Sequence, residues 1–178
     1  MSRAPLTPLE DALAAVLAQA QPLPGAAFVD LLQADGRVLA ADCIAPLQVP
    51  PLDNSAMDGY AVRSAEVAQT GTVLPVSQRI PAGQVGAALQ VGTVARIFTG
   101  APIPAGADAV IMQEQAHPDG DKVRFSAAAK PGQNIRRSGE DISKDSVVLS
   151  AGTRLSPAEL GLAASIGCAY LDVLRPLK

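Results

Sequence analysis

Apolar residues recur at helical spacing near both ends of the chain, and at short, turn-bounded intervals between them. Leu9, Ala12, Leu13, Val16 and Leu17 form one face of a predicted helix. Thr7-Pro8-Leu9-Glu10 reads as its start, with Thr7 as N-cap, Pro8 at the first helical position and Glu10 closing a capping box. The helix should stop near Ala20, ahead of Pro22 and Pro24. The same signature returns at Ser156-Pro157-Ala158-Glu159, where Leu160, Ala163, Ala164 and Ile166 make the apolar face and Gly167 suits the residue beyond the C-cap. Between the helices, β-favouring runs alternate with Gly/Pro turns at 60–62, 73–80, 93–98, 109–113 and 122–125, and Asp119-Gly120 is a hairpin signal. Residues 27–32 and 170–174 also read as strands. Residues 33–40 suggest a short helix, weakened by Gly36, and 41–49 suggest extended chain.

This order predicts an α+β fold. A discontinuous α/β lobe, 1–46 and 141–178, carries an inserted β-rich, barrel-like lobe, 47–140. Fifteen glycines and fifteen prolines in 178 residues suit many short elements. With no Trp, three Phe and two Tyr, the core must be Ala, Val, Leu and Ile.

Charge and rare residues narrow the function. The net charge is −3, and no Lys/Arg cluster tracks along the chain, which argues against nucleic acid. No apolar run approaches membrane-spanning length, and no basic start leads into an apolar run, so the expected compartment is the cytoplasm. Cys43 and Cys168 set no framework spacing and read as reduced thiols. His117 is the only histidine, which argues against a Cys/His zinc site and a Ser-His-Asp triad.

Three polar segments could carry chemistry. Asp53 to Tyr60 follows two prolines and is rich in residues that bond their own backbone in turns. It is either a capped turn or a rigid corner presenting Asp58, with Asp53 beside it, to Mg²⁺ or its water shell. Phe98-Thr99-Gly100-Ala101-Pro102 is either a plain strand exit or a hydroxyl and glycine placed for an anion. Gly132 to Asp141 holds Arg136 and Arg137. One could clamp an oxyanion while the other pairs with Glu140 or Asp141, or both could belong to a surface ion-pair network. Neither a P-loop nor a dinucleotide fingerprint is present. An Asp53/Asp58 acid–base pair for hydrolysis is a further reading.

Taken together, Asp53 to Ala61, Arg96 to Pro102, Ala109 to Glu114 and Gly132 to Ile142 resemble, in order and spacing, the N-terminal region of the MoeA/gephyrin family, the molybdopterin molybdenumtransferases. The resemblance implies a dimeric, Mg²⁺-dependent enzyme that inserts molybdenum from molybdate into adenylylated molybdopterin and releases AMP. The adenylyltransferase of the same pathway would be a further partner. The resemblance makes Asp58 and Thr99 the catalytic candidates, with Asp58 as a Mg²⁺ ligand. It makes Arg137, Asp141, Asn54 and Ser55 substrate-binding candidates. The expected roles are Asp58 orienting Mg²⁺ or water, Thr99 hydrogen-bonding an anionic oxygen and Arg137 balancing charge as AMP leaves. The family's pterin-binding domain would begin just beyond Leu174, so the chain alone is expected to be inactive. The rival reading is a non-catalytic dimerisation or scaffolding module. In that case the helix faces starting at Leu9 and Leu160 would meet a partner rather than pack within the lobe.

Overall fold

The structure, a computed structural model, describes residues 7–20 and 25–176. Pro22 and Pro24, expected beyond the first helix, lie outside the described residues. In chain order the elements are α1 (Leu9–Gln19), β1 (Ala26–Asp30), β2 (Cys43–Ile44), β3 (Asn54–Ser55), β4 (Gly59–Val62), β5 (Val73–Ile80), β6 (Val94–Ile97) and β7 (Ala109–Met112). They continue as β8 (Ala116–Asp119), β9 (Lys122–Phe125), β10 (Ile135–Arg136), β11 (Val147–Leu149), α2 (Pro157–Ser165) and β12 (Tyr170–Leu174). The chain divides into two compact units, Met1–Cys43 with Leu149–Lys178, and Ile44–Val148.

In the discontinuous unit, β1 and β12 pair antiparallel from Ala26↔Leu174 to Asp30↔Tyr170. Period-two alternation buries Leu171 and Val173, while Phe28 and Tyr170 stack on the outer side with ring centroids 5.1 Å apart. α2 starts with the capping box that the sequence predicts. The Ser156 hydroxyl accepts from the Ala158 N–H, and the Glu159 carboxylate accepts from the Ser156 N–H at 2.9 Å. Its end is a Schellman motif. Gly167, at φ +84°, donates to Ala164, and Cys168 donates to Ala163. Ala163 and Ile166 are buried, as are Leu39, Leu155 and Val173 of this unit. Burial raises the Cys43 thiol to about 11, and its sulfur lies 3.6 Å from that of Cys168.

Three expectations for this unit do not hold. The N-cap of α1 is Pro8, with no side-chain cap, so Thr7 and Glu10 form no capping box. Moreover α1 buries no residue: Leu9, Leu13, Val16 and Leu17 are all exposed, so its apolar face does not pack into a core. Residues 33–40 are not a helix. A short 3₁₀ turn, Leu31–Gln33, leads to Gly36 at φ +72°, after which Val38 bridges Arg154 and Leu39 bridges Val173.

The inserted unit is organised by a six-stranded mixed sheet in the order β7-β4-β6-β5-β9-β8. Only β5 and β6 run parallel; the other neighbours are antiparallel. The sheet is open, since β7 and β8 occupy its two edges, rather than a closed barrel. Apolar clusters cover both faces. Tyr60, Val62, Val94, Ile111, Val123 and Phe125 form one, and Ala61, Ile80, Leu89, Ala95, Ile97 and Val110 form the other. Every residue of β4 is therefore buried, as a central strand with two covered faces requires. The hairpin at Gly120 joins β9 to β8, not to β7. The sequence does not advertise β8, Ala-His-Pro-Asp, as a strand. It is an edge, where the missing N–H of Pro118 is tolerated.

Candidate functional site

The three polar segments meet within the inserted unit through backbone hydrogen bonds. Ser55 donates to Ala101 and Ile103 donates to Asp53, which ties the first segment to the second. Ala56 donates to Asn134, and β3 pairs with β10 (Ile135↔Ser55, Arg136↔Asn54), which ties the first to the third. Gly100, at φ +81°, turns the chain after Thr99 so that its N–H reaches the Ser55 carbonyl at 2.9 Å.

At this junction Asp58 and Thr99 touch. The Thr99 N–H and the Thr99 hydroxyl both donate to Asp58 Oδ1, each at 2.8 Å. These bonds hold the Asp58 carboxyl below the usual carboxylate range. The backbone bond contributes most, the hydroxyl next, and the charge of Arg96 adds to them. Because an ionised carboxylate only accepts, the Thr99 proton points at Asp58. Thr99 therefore orients the Asp58 carboxylate through both its N–H and its hydroxyl. Oδ2 of Asp58 has no hydrogen-bond partner among the described residues. Thr99 is exposed and Asp58 half-buried, so this oxygen belongs to an open corner.

That arrangement predicts a measurable titration. Thr99→Val removes the hydroxyl bond but keeps the larger N–H bond, so the Asp58 carboxyl should titrate at higher pH than in the wild type while staying below an ordinary aspartate. Carbon-detected NMR of the side-chain carboxyl checks it, and an unmoved midpoint would contradict the geometry. The sign for stability follows. A lowered folded-state value adds stability above the unfolded value, and this is lost as pH falls through the folded one.

The other sequence candidates are engaged differently. Ser55 is 1% exposed, and its hydroxyl donates to the Met57 carbonyl at 2.6 Å. It shapes the turn. The Asn54 side-chain amide lies 3.3 Å from the Leu52 and Asp53 carbonyls, so it too braces its own turn. Arg137 reaches Asp53 at 2.5 Å, and Arg136 reaches both oxygens of Asp141 at 2.6 Å. Glu140 accepts from the Arg137 N–H at 2.8 Å. The ion-pair network is thus the arrangement found. Arg137 is thus paired with Asp53, and Asp141 with Arg136, at solvent-exposed positions. Asp53 is lowered chiefly by the Ser138 N–H and also by Arg137. Asp53 and Asp58 are thus both held below the usual carboxylate range.

Two residues that the sequence reading did not single out complete the corner. Arg96 donates to the Gly59 carbonyl at 2.9 Å and to the Gln113 side chain at 2.7 Å, and it lies 4.5 Å from the centroid of Phe98. Arg79 lies 4.4 Å from the same centroid. The usable signal was period-two alternation. Arg96 and Phe98 share a sheet face, and so do Asp58 and Tyr60. The register Tyr60↔Arg96↔Arg79 aligns them all.

Mg²⁺ commonly keeps several waters and takes one or two protein carboxylates. An ionised Asp58 with one unengaged oxygen meets that need as a single ligand. No cluster of three or more His, Cys, Asp or Glu fit for a metal occurs among the described residues, so an all-protein cage does not.

Comparison with known proteins places this geometry. The family described as the MoeA N-terminal region (domain I and II) matches residues 7–167. Molybdopterin molybdenumtransferase 2 of Mycobacterium tuberculosis is 48% identical over 151 residues, covering 82% of this chain and 37% of that protein. The molybdopterin molybdenumtransferase of Haemophilus influenzae is 44% identical over 153 residues, covering 85% of this chain and 38% of that protein. The crystal structure of the molybdopterin biosynthesis moeA protein from Pyrococcus horikoshii superposes with a TM-score of 0.90 at 36% identity, over 96% of this chain and 46% of that one. The chain therefore spans less than half the length of these relatives.

Proposed function

The chain belongs to the MoeA N-terminal family, domains I and II, and on that footing we propose that its Asp58 corner is one wall of a molybdenumtransferase active site, in molybdenum cofactor biosynthesis. The reaction proposed is insertion of molybdenum from molybdate into adenylylated molybdopterin, with release of AMP. The observation that carries the reading is the Asp58 carboxylate itself, held ionised by two Thr99 donors and open on its other oxygen.

Asp58 would hold Mg²⁺ or one of its waters through Oδ2, and Thr99 would fix the carboxylate's direction. Bound there, Mg²⁺ would supply charge neutralisation at the phosphate from which AMP leaves. Chemistry of this kind depends on positioning and charge more than on a covalent nucleophile, which suits a corner without Cys or His. In the longer relatives the rest of the substrate surface would come from residues outside the matched region, so the 178 residues by themselves should not turn over. We place the assembled enzyme in the cytoplasm as a homodimer, supplied by the adenylyltransferase of the same pathway.

The metal role is testable on the 178-residue chain with Mn²⁺ as a paramagnetic stand-in for Mg²⁺. Amide signals of Asp58, Gly59, Thr99 and Gly100 should broaden first, and Asp58→Asn should abolish that broadening. Equal broadening in the variant, or broadening centred on Glu140 and Asp141, would contradict it.

One observation favours a second reading, a dimerising module without catalysis: the bare apolar face of α1, with Leu9 82% and Val16 67% exposed. Self-association on light scattering, together with no response to Mn²⁺ at Asp58, would select it.

A further inference from the structure

Arg79 and Arg96 stand directly opposite each other on adjacent parallel strands. Like charges so placed repel, and neither residue has a carboxylate within salt-bridge distance among the described residues. The other arginines of this unit's turns are treated differently: Arg63 pairs with Glu66, Arg136 with Asp141 and Arg137 with Asp53. What holds the two uncompensated guanidinium groups together is one aromatic ring. Both lie over Phe98, at 4.4 and 4.5 Å from its centroid. Phe98 precedes Thr99, so the pair borders the Asp58 corner, and space beyond the Gly100 α-carbon is open for at least 4 Å.

We propose that Arg79 and Arg96, braced on Phe98, form a subsite for a phosphate group or another tetrahedral oxyanion beside Asp58. Arg96 engages two of its donors on Gly59 and Gln113, which fixes its plane and leaves further N–H groups. The Arg79 side chain makes no hydrogen bond among the described residues and is exposed, so its fork is free while its face rests on the ring. Guanidinium groups bind tetrahedral oxyanions through paired N–H bonds, and stacking reduces the ordering each must undergo on binding. A bound dianion would also relieve the repulsion between them. The tetrahedral-anion chemistry is shared by the phosphates of a nucleotide-linked substrate and by a free metal oxyanion. Which of the two belongs here rests on the molybdenumtransferase reading above; the anion site itself does not.

The test is titration of the 178-residue chain with inorganic pyrophosphate and, separately, with molybdate at low ionic strength, following arginine side-chain N–H signals. Saturable shifts at Arg79 and Arg96 are expected. Arg79→Gln should weaken binding by about fivefold or more, while Arg124→Gln, on exposed β9, should not. Tighter pyrophosphate assigns the subsite to substrate phosphate, and tighter molybdate assigns it to the oxyanion. Asp58→Asn separates this claim from the metal claim: it should abolish Mn²⁺ broadening yet keep or strengthen anion binding, because a neighbouring negative charge is gone. Side-chain signals of Arg79 and Arg96 that stay still for both anions, or an Arg79→Gln chain that binds as well as wild type, would overturn the proposal.

Discussion

In a full-length molybdenumtransferase relative, the change equivalent to Asp58→Asn is expected to lower molybdenum insertion by about a hundredfold or more, with folding intact. The substitution keeps the size of the side chain and leaves an amide oxygen that still accepts from Thr99. The corner therefore keeps its shape. What it loses is a negative charge that the Thr99 N–H and hydroxyl make unusually persistent, and with it the unengaged Oδ2 as an anionic ligand. Charge placed in advance where a reaction needs it is the largest catalytic contribution available to a site without a nucleophile. Single-turnover molybdenum insertion and AMP release measure the effect. A variant that folds and inserts at a near-normal rate would remove the metal-holding role.

Gly59→Ala is expected to destabilise the inserted unit by about 3 kcal/mol, the upper end of overpacking costs. A methyl at this position would stand 2.0 Å from the Ile111 carbonyl oxygen and 2.9 Å from its carbon. Both are backbone atoms of β7, paired with β4 at this point, so no rotamer change can relieve the clash. The strands must separate, and Asp58 moves with its neighbour. Gly161→Ala should do the opposite. Its site in α2 is open, so the helix gains about 0.5–1 kcal/mol. Chemical denaturation of the two variants should therefore shift in opposite directions. Equal midpoints would contradict the close approach of β4 and β7.

Much of the local structure was legible because local chemistry fixes it. The runs at 73–80, 122–125 and 170–174 became strands with those bounds, and Ser156-Pro157-Ala158-Glu159 became the predicted capped helix start. Misreadings arose where tertiary partners overrule propensity. Residues 33–40 have helix-compatible composition, but Gly36 turns the chain so that Val38 and Leu39 can bridge distant strands. β8 is a strand only because β9 offers it an edge. α1 looks like a packing helix, yet none of its residues is buried.

The candidate site divides in the same way. The three turn segments were visible as unusual polar stretches, and family resemblance ordered their importance. Their convergence depends on pairings between residues dozens of positions apart, such as Asp58 with Thr99 and Asp53 with Ser138. Periodicity does not encode such pairings. The same limit hides the partners of Thr99 and Arg137, which bond Asp58 and Asp53 in the fold. The alignment of Arg79 with Arg96 depends on the parallel β5–β6 register, which no local signal sets.

The most direct measurement is the pH dependence of molybdenum insertion by a full-length relative carrying the equivalent of Thr99→Val, set beside the titration of its Asp58-equivalent carboxyl. If the ionised Asp58 carboxylate is the working group, the acidic limb of the activity profile moves to higher pH together with the carboxyl midpoint. A midpoint that moves while the acidic limb stays in place would contradict the account.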